Sequence, residues 1–336
     1  RGADDTKNLL AAEMSVLIEL KQQGIALNRD IILLSEADEE AGSTGIQWLI
    51  ANAYGKIGAT AALNESGTIL ETDSGARLFE VQTAEKIPTR ITLTAHGMAG
   101  HAALPRPDNA IVHLARAILA VTGEQPVRLN ATTRRNLAVL ARLPEYAWLA
   151  PLLPDLENPA RQAQAEAQLR ARDAELDAGL HTTVSPTMLS AGVKINVIPN
   201  TAEAQIDVRR LPDESRDEVL ARLRKMVNDP AVDAELTGVQ DMPATQPSSM
   251  ESPVYRAMER VLATSSPRAI VVPFMSRGAT DGAFLRAKGM DVYGVPLFPH
   301  EHGASRAHGN DERISVTDLI NGTGLLMRIV MTVAAP

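Results

Sequence analysis

The sequence contains no cysteine, which excludes disulfides and thiolate metal ligands. Any metal held by this chain must therefore sit among His, Asp and Glu, a donor set that favours zinc, manganese or cobalt. No uninterrupted apolar run reaches the roughly 18 residues of a membrane span. No signal peptide is legible, and no internal repeat recurs along the chain. An excess of positive charge is also missing. The 33 Lys and Arg are outnumbered by 41 Asp and Glu, for a net charge of -8, which argues against nucleic acid as a partner. What remains is ample for folding: 336 residues, 45% of them hydrophobic, enough to bury a full core in one large domain or two.

One stretch organises the rest, Ser35-Glu36-Ala37-Asp38-Glu39-Glu40-Ala41-Gly42. The apolar run Ile31 to Leu34 leads into it and reads as a buried strand. The acids then lie at a strand end, where open α/β sheets gather their sites. Adjacent carboxylates repel one another and are tolerated either in solvent or beside a cation. Taken alone, the triplet is most simply a polar loop.

The remaining chain supplies context. Arg1 to Lys7 is a short polar loop, followed by a helix with Leu9, Leu10, Met14, Leu17, Ile18 and Leu20 at helical spacing and Gly24 at its close. Asp4 and Asp5, at the first turn, have helix capping as their plain role. A helix is expected over 45–53 and a strand over 59–63, ending in Asn64-Glu65-Ser66-Gly67. From about Pro88 the pattern changes. The spacing predicts strands over 89–95, 183–189, 202–209 and 232–236, and helices over 109–121 and 215–227. This strand-helix-strand-strand-helix-strand order is ferredoxin-like. Residues 140–183, rich in Pro, Ala and charge, read as an insertion or lid segment. After 240 the α/β pattern returns, with helices over 253–263 and 316–333 and strands over 269–273 and 291–295. The reading is an α/β fold in two parts. Residues 1–88 and 241–336 form a catalytic domain with a mixed central sheet flanked by helices. Residues 89–240 form an inserted α+β lid or dimerisation domain carrying the 140–183 insertion.

Taken together the motifs resemble the M20 family of dinuclear zinc peptidases and amidohydrolases, which includes carboxypeptidase S, glutamate carboxypeptidase and acetylornithine deacetylase-like enzymes. Arg1-Gly2-Ala3-Asp4-Asp5-Thr6-Lys7 is similar to the family's R-G-A-x-D-x-K, which implies that Asp5 bridges two metals. Asp38-Glu39-Glu40 is similar to its D-E-E, implying Glu39 as catalytic base and Glu40 as a metal ligand. By the same resemblance Glu65, in Asn64-Glu65-Ser66-Gly67, and His308, in Ala307-His308-Gly309-Asn310-Asp311-Glu312, are further ligands. Gly100-His101-Ala102-Ala103 and Pro105 resemble the lid motif whose histidine reaches a neighbouring subunit's site, which implies a homodimer. Asn196, Arg209 and the turn Gly278-Ala279-Thr280-Asp281 match substrate-contact positions. The family's upstream His-x-Asp motif has no counterpart before Arg1. The expectation is thus an N-terminally truncated chain, with three ligands for one metal (Asp5, Glu40, His308) and two for the other (Asp5, Glu65).

The resemblance implies two Zn2+ per subunit, with Co2+ or Mn2+ as alternatives. It also implies a small peptide or N-acyl amino acid as substrate, cleaved at an amide beside a free carboxylate. A metal lowers the pKa of water toward ~7 and polarises a carbonyl, Glu39 would move the proton, His101 would donate to the oxyanion, and Arg209 offers a fork for a carboxylate. Two rival readings stand beside this one: an aminopeptidase or deacylase of the same family, and a metal-poor, non-catalytic dimerising module. The plain roles are a surface salt bridge for Arg209, a loop residue for His101, His96, His300 and His302, packing for His113 and His181, a turn residue for Asp281, and a helix-start acid for Glu312.

Overall fold

A computed structural model describes residues 2–238, 242–300 and 305–336. Two sheets, joined end to end, organise the chain. The first is mixed and five-stranded. It contains β1 (Ala61–Asn64), β2 (Thr68–Glu71), β3 (Arg77–Glu85), β10 (Ala269–Ser276) and β11 (Asp291–Gly294), in the order β1-β11-β3-β10, with β2 also on β3. β1 runs parallel to β11 and β10 parallel to β3, whereas β2 and β11 meet β3 antiparallel. Every residue of β3 after Arg77 is buried.

The second sheet comprises β4 (Ile87–His96), β6 (Thr183–Ala191), β8 (Thr201–Arg210) and β9 (Val232–Thr237), in the order β6-β8-β4-β9 and antiparallel throughout. Helices α3 (Ala110–Val121) and α8 (Arg216–Val227) complete the β-α-β-β-α-β order read from the sequence. β8 alternates exposed and buried residues along most of its length, as a sheet with one covered face must. Ile91, Leu93, Ile206 and Val208 meet Leu114, Val219 and Leu223 in one core. Ser215 and Glu218 cap α8 reciprocally, satisfying two donors that the helix start leaves open. A two-residue ladder, β5 (Gly100–His101) with β7 (Val197–Ile198), lies off this sheet.

Helices cover the first sheet. On α1 (Lys7–Gln22), the residues Leu9, Ala12, Val16 and Leu20 recur at helical spacing and are buried. They pack with α9 (Pro253–Ala263) and α11 (Val316–Ala334) against Phe79, Val81 and Tyr293. Gly24, at φ +61°, ends the segment after α1 in the left-handed region, where glycine carries no Cβ penalty. By length and hydropathy α11 would suffice to cross a membrane. Thr317, Asp318, Asn321 and Arg328 interrupt its apolar run, and in this fold it contacts α1 and α9.

Helix α4 (Ala131–Leu140) precedes the run expected as a lid insertion, 140–183, and with it makes one helical segment that continues as a 3-10 turn (Pro144–Leu149), α5 (Leu153–Leu156), α6 (Gln162–Arg172) and α7 (Ala174–Ala178). Its leucines, among them Leu137, Leu140, Leu149 and Leu169, pack on Leu78 of β3 and Val272 of β10. Asp173, extended at φ -151°, separates α6 from α7 and caps α7 through its side chain.

The apolar run Ile31 to Leu34 is a correction. It is not a strand: no described strand pairs with it, and Ile32 is 46% exposed. Hydrophobicity alone does not make a strand, because the ladder needs a neighbour to take its backbone groups. Further along, α2 (Thr44–Ile57) is broken at Ala53 (φ -141°), the end expected from the sequence, and a further turn follows the kink. The strands β2, β3, β5 and β7 and the helices α4 and α10 (Gly282–Arg286) were not anticipated.

Candidate metal centre

Two loops far apart in sequence are tied together before any side chain of the centre is placed. The carboxylate of Glu312 accepts hydrogen bonds from the backbone N–H of Asp4 (2.8 Å) and of Asp5 (2.5 Å). The loop closes on itself, with Gly2 N donating to Asp5 O at 2.8 Å. A Cβ on Gly2 would lie 2.0 Å from the Glu312 carboxylate, so any larger residue there would displace that carboxylate. Glu312, expected as a helix-start acid, thus fastens the Asp5 loop. Asp4 turns aside to His300, at 3.4 Å from Nδ1.

This brings Asp5 and His308 together. His308 Nε2 lies 2.7 Å from Asp5 Oδ2 and 3.5 Å from Glu40 Oε1. One ligand atom from each of the three residues lies within 4.8 Å of the others. Ligands about 2 Å from a common ion stand roughly 3–4 Å apart, so the set has about the size an ion needs. His308 holds φ +66°, a sparsely populated conformation for a residue with a side chain.

The acidic loop presenting Glu40 is a tight turn. Asp38 O accepts from Ala41 N (3.1 Å) and Ser43 N (2.6 Å), and Thr44 Oγ1 donates to Asp38 Oδ2 at 2.7 Å. A Cβ on Gly45 would lie 2.2 Å from Ala37 O, so the bare first turn of α2 fits against the loop. Asp38 is consumed by this turn. Among the described residues no hydrogen bond claims the Glu39 carboxylate. Burial, followed by the charges of Asp281, Glu40 and Asp5, pushes it up to about 7.

Glu65 follows β1. A Cβ on Gly294 of β11 would lie 2.2 Å from Glu65 O, and one on Gly67 would lie 2.2 Å from the Val295 carbonyl carbon. The Glu65 turn is therefore seated on bare backbone. Its carboxyl is pushed up to about 8, first by burial and then by the charges of Glu39, Asp5 and Asp281. Glu65 thus feels the same acids, although it lies outside the three-residue group.

Asp281 is 7% exposed, and neither of its oxygens has a hydrogen-bond partner among the described residues. Glu36, near it, is pushed up to about 9, first by burial and then by Asp281. Facing carboxyls are relieved when one keeps a proton. Thr280, 3% exposed, donates from its backbone N and from Oγ1 to Glu85 Oε2, at 2.8 and 2.9 Å. Gly278 N donates to Ser276 Oγ at 3.1 Å.

The remaining expected residues lie elsewhere. The His101 ring is exposed and accepts from Ala103 N at 3.1 Å. Asn196 is its neighbour across the small ladder, with Ala102 N donating to Asn196 O at 3.1 Å. No described hydrogen bond or ion pair links either to the acids. The Arg209 fork is taken by Asp207, two residues back on β8, at 2.7 and 3.3 Å. His96 pairs with Asp233 and His113 with Asp229, while His302 lies outside the described residues. A second group, Glu166, Asp177 and His181, is also of metal-binding size. Arg170 already occupies its two carboxylates, and His181 Nδ1 lies 2.9 Å from Gln125 O.

The human N-fatty-acyl-amino acid synthase/hydrolase PM20D1 is 25% identical over 323 residues, covering 94% of this chain and 64% of that protein. The chain therefore spans somewhat less than two thirds of that relative. The M20 family metallo-carboxypeptidase Sso-CP2 from Sulfolobus solfataricus superposes with a TM-score of 0.67 at 20% identity, over 97% of this chain and 75% of that one. The Bacillus subtilis YXEP protein, described as a dinuclear metal binding peptidase from the M20 family, does so with a TM-score of 0.57 at 15% identity, over 96% and 70%. At these identities the structures show a common fold. Residues 1–332 match Peptidase family M20/M25/M40, and the chain belongs to that family.

Proposed function

We propose that this chain carries the catalytic core of a dinuclear zinc hydrolase that cleaves an amide bond beside a free carboxylate, as a carboxypeptidase or an N-acyl-amino-acid hydrolase. The observation that carries the reading is the meeting of Asp5, Glu40 and His308 within 4.8 Å. Beside them lies Glu39, whose carboxylate is not claimed by a hydrogen bond among the described residues. Two carboxylates and an imidazole, without cysteine, suit zinc, cobalt or manganese. In this reading Asp5, Glu40 and His308 hold one ion, Asp5 and Glu65 contribute to a second, and the pair supplies an activated water and a polarised carbonyl. Glu39 takes the proton from the water and returns it to the leaving amine. Gly278, exposed, would line the substrate side; Thr280, expected there too, is buried and committed to Glu85, so it would support that turn rather than touch substrate. Arg209 serves a substrate carboxylate by exchanging it for Asp207.

The four-stranded sheet acts in this reading as lid and dimerisation domain. β6 is an edge strand, and Met188, Leu189, Val193 and Ile195 around it are 66–98% exposed. An apolar edge of this kind calls for cover. A second copy would provide it, and would explain why His101 stands apart from the acids of its own chain. The sedimentation mass of the wild type and of Leu189→Asp tests this point: a dimer that dissociates on substitution is expected.

The enzyme reading is tested by Glu39→Gln in the full chain. Turnover of N-acyl amino acids or dipeptides should fall by about 10²–10⁴-fold with metal content unchanged. Unchanged turnover would refute the role of Glu39. A wild type that binds no metal stoichiometrically would favour the non-catalytic module.

A further inference from the structure

Glu85 is the last residue of β3, separated by Lys86 alone from Ile87, where the second sheet begins. Its side chain is 1% exposed. One oxygen faces the Arg286 guanidinium at 2.5 Å, and the other accepts from Thr280 N, Thr280 Oγ1 and, at 3.2 Å, Gln82 Nε2. Arg286 is in turn committed to Val292 O (3.0 Å) and Ser248 Oγ (3.1 Å). Thr280 Oγ1, having donated to Glu85, accepts from Gly282 N at 3.1 Å and from Asn64 Nδ2 at the longer distance of 3.4 Å. Asn64 lies opposite Gly294 in the β1–β11 ladder, and its carbonyl accepts from Val295 N at 2.9 Å. The next residue is Glu65.

We propose that Glu85 is a positioning residue for the Glu65 metal position, acting through Thr280 and Asn64. A charge buried at this depth is costly unless paired and fully hydrogen-bonded. Apart from the bond from Gln82 on β3 itself, the bonds that offset the cost lead to the turn at 280 or, through Arg286, to the β11 strand on which Glu65 is seated. Thr280 can accept from Asn64 in a fixed direction because its own proton is directed to Glu85. The network thus sets the orientation of Asn64 from β3 and, through the chain, the exit direction of Glu65. It also ties this exit to Glu85-Lys86-Ile87, the junction of the two sheets. Partners that orient a metal ligand in this way typically change metal affinity by about 10–100-fold when removed.

This inference rests on the ligand set proposed above, and its test separates the two. Zinc is titrated into the full chain against a competing chelator, and the binding steps are resolved. Glu65→Gln identifies the step that depends on Glu65, and Glu40→Gln the step that does not. Thr280→Val should weaken the Glu65 step by about 10–100-fold and leave the other unchanged, whereas Thr280→Ser, which keeps the hydroxyl, should bind like the wild type. Glu85→Gln should act like Thr280→Val; if the unpaired Arg286 prevents folding, Thr280→Val decides. Wild-type affinity at both steps in Thr280→Val would overturn the proposal. If Glu65→Gln removes no step, the ligand assignment fails first and this inference with it.

Discussion

The two sheets of this molecule bury different things. The four-stranded sheet hides Ile91, Leu93, Ile206 and Val208 against two helices and keeps Thr92, Gln205 and Glu203 at its polar face. The central strand of the five-stranded sheet buries Glu80, Gln82, Thr83 and Glu85, and Thr280, Asp281 and Arg286 are buried beside it. A regular apolar face is what stability alone selects. Buried acids with few counter-charges are costly and persist where a cation or a proton completes them. In the reading proposed above, the contrast puts the metal chemistry at the carboxyl-rich end of the larger sheet, while the smaller one carries Arg209 for the substrate.

The sharpest way to break this contrast is to remove one charge from the larger sheet. Arg286→Leu leaves Glu85 buried and unpaired, and should cost about 3–5 kcal/mol, read by denaturant unfolding. In the smaller sheet, Leu93→Ala should cost a comparable or somewhat smaller 2–5 kcal/mol while leaving zinc affinity unchanged; a loss of metal there would blur the division of labour. Glu312→Ala removes both bonds to the Asp4–Asp5 loop and should weaken zinc binding by about 10–100-fold, read by chelator competition, with the melting temperature of the metal-free protein little changed. A pH series sharpens the same contrast. Glu39, Glu65 and Glu36 are pushed up to about 7, 8 and 9, above the 4.5 of an ordinary glutamate. Folded-state values raised in this way give stability that is fully present below about 4.5 and is lost as pH rises through 7 to 9. The metal-free protein should accordingly melt higher at mildly acidic than at alkaline pH, and bound zinc should flatten the difference. The smallest effect is expected at the surface: Asp207→Asn releases the Arg209 fork at a cost of less than about 1 kcal/mol, and should lower the KM for a carboxylate-bearing substrate if Arg209 serves it.

Much of this was legible in the sequence where one physical signal dominated. The period of the smaller sheet and its helices placed all four strands and both helices, and Pro253 and Ser252 placed the start of α9. In the larger sheet β3 was missed because Glu80, Gln82, Thr83 and Glu85 break the apolar pattern of a strand that is nonetheless buried. The opposite error occurred at Ile31 to Leu34, which carries the pattern without a partner to pair with. The meeting of Asp5, Glu40 and His308 was implied by the resemblance of their motifs to those of the M20 family. The role of Glu312 did not, because only the fold shows that its carboxylate faces the backbone of Asp4 and Asp5. The Arg209–Asp207 pair was open to anticipation, since residues two apart share a strand face.

The most direct test of the shared metal position is anomalous diffraction at the zinc edge from crystals of this chain grown with zinc. The account predicts a peak within coordination distance of Asp5, Glu40 and His308. Density confined to Glu166, Asp177 and His181, or no peak among the acids near His308, would contradict it.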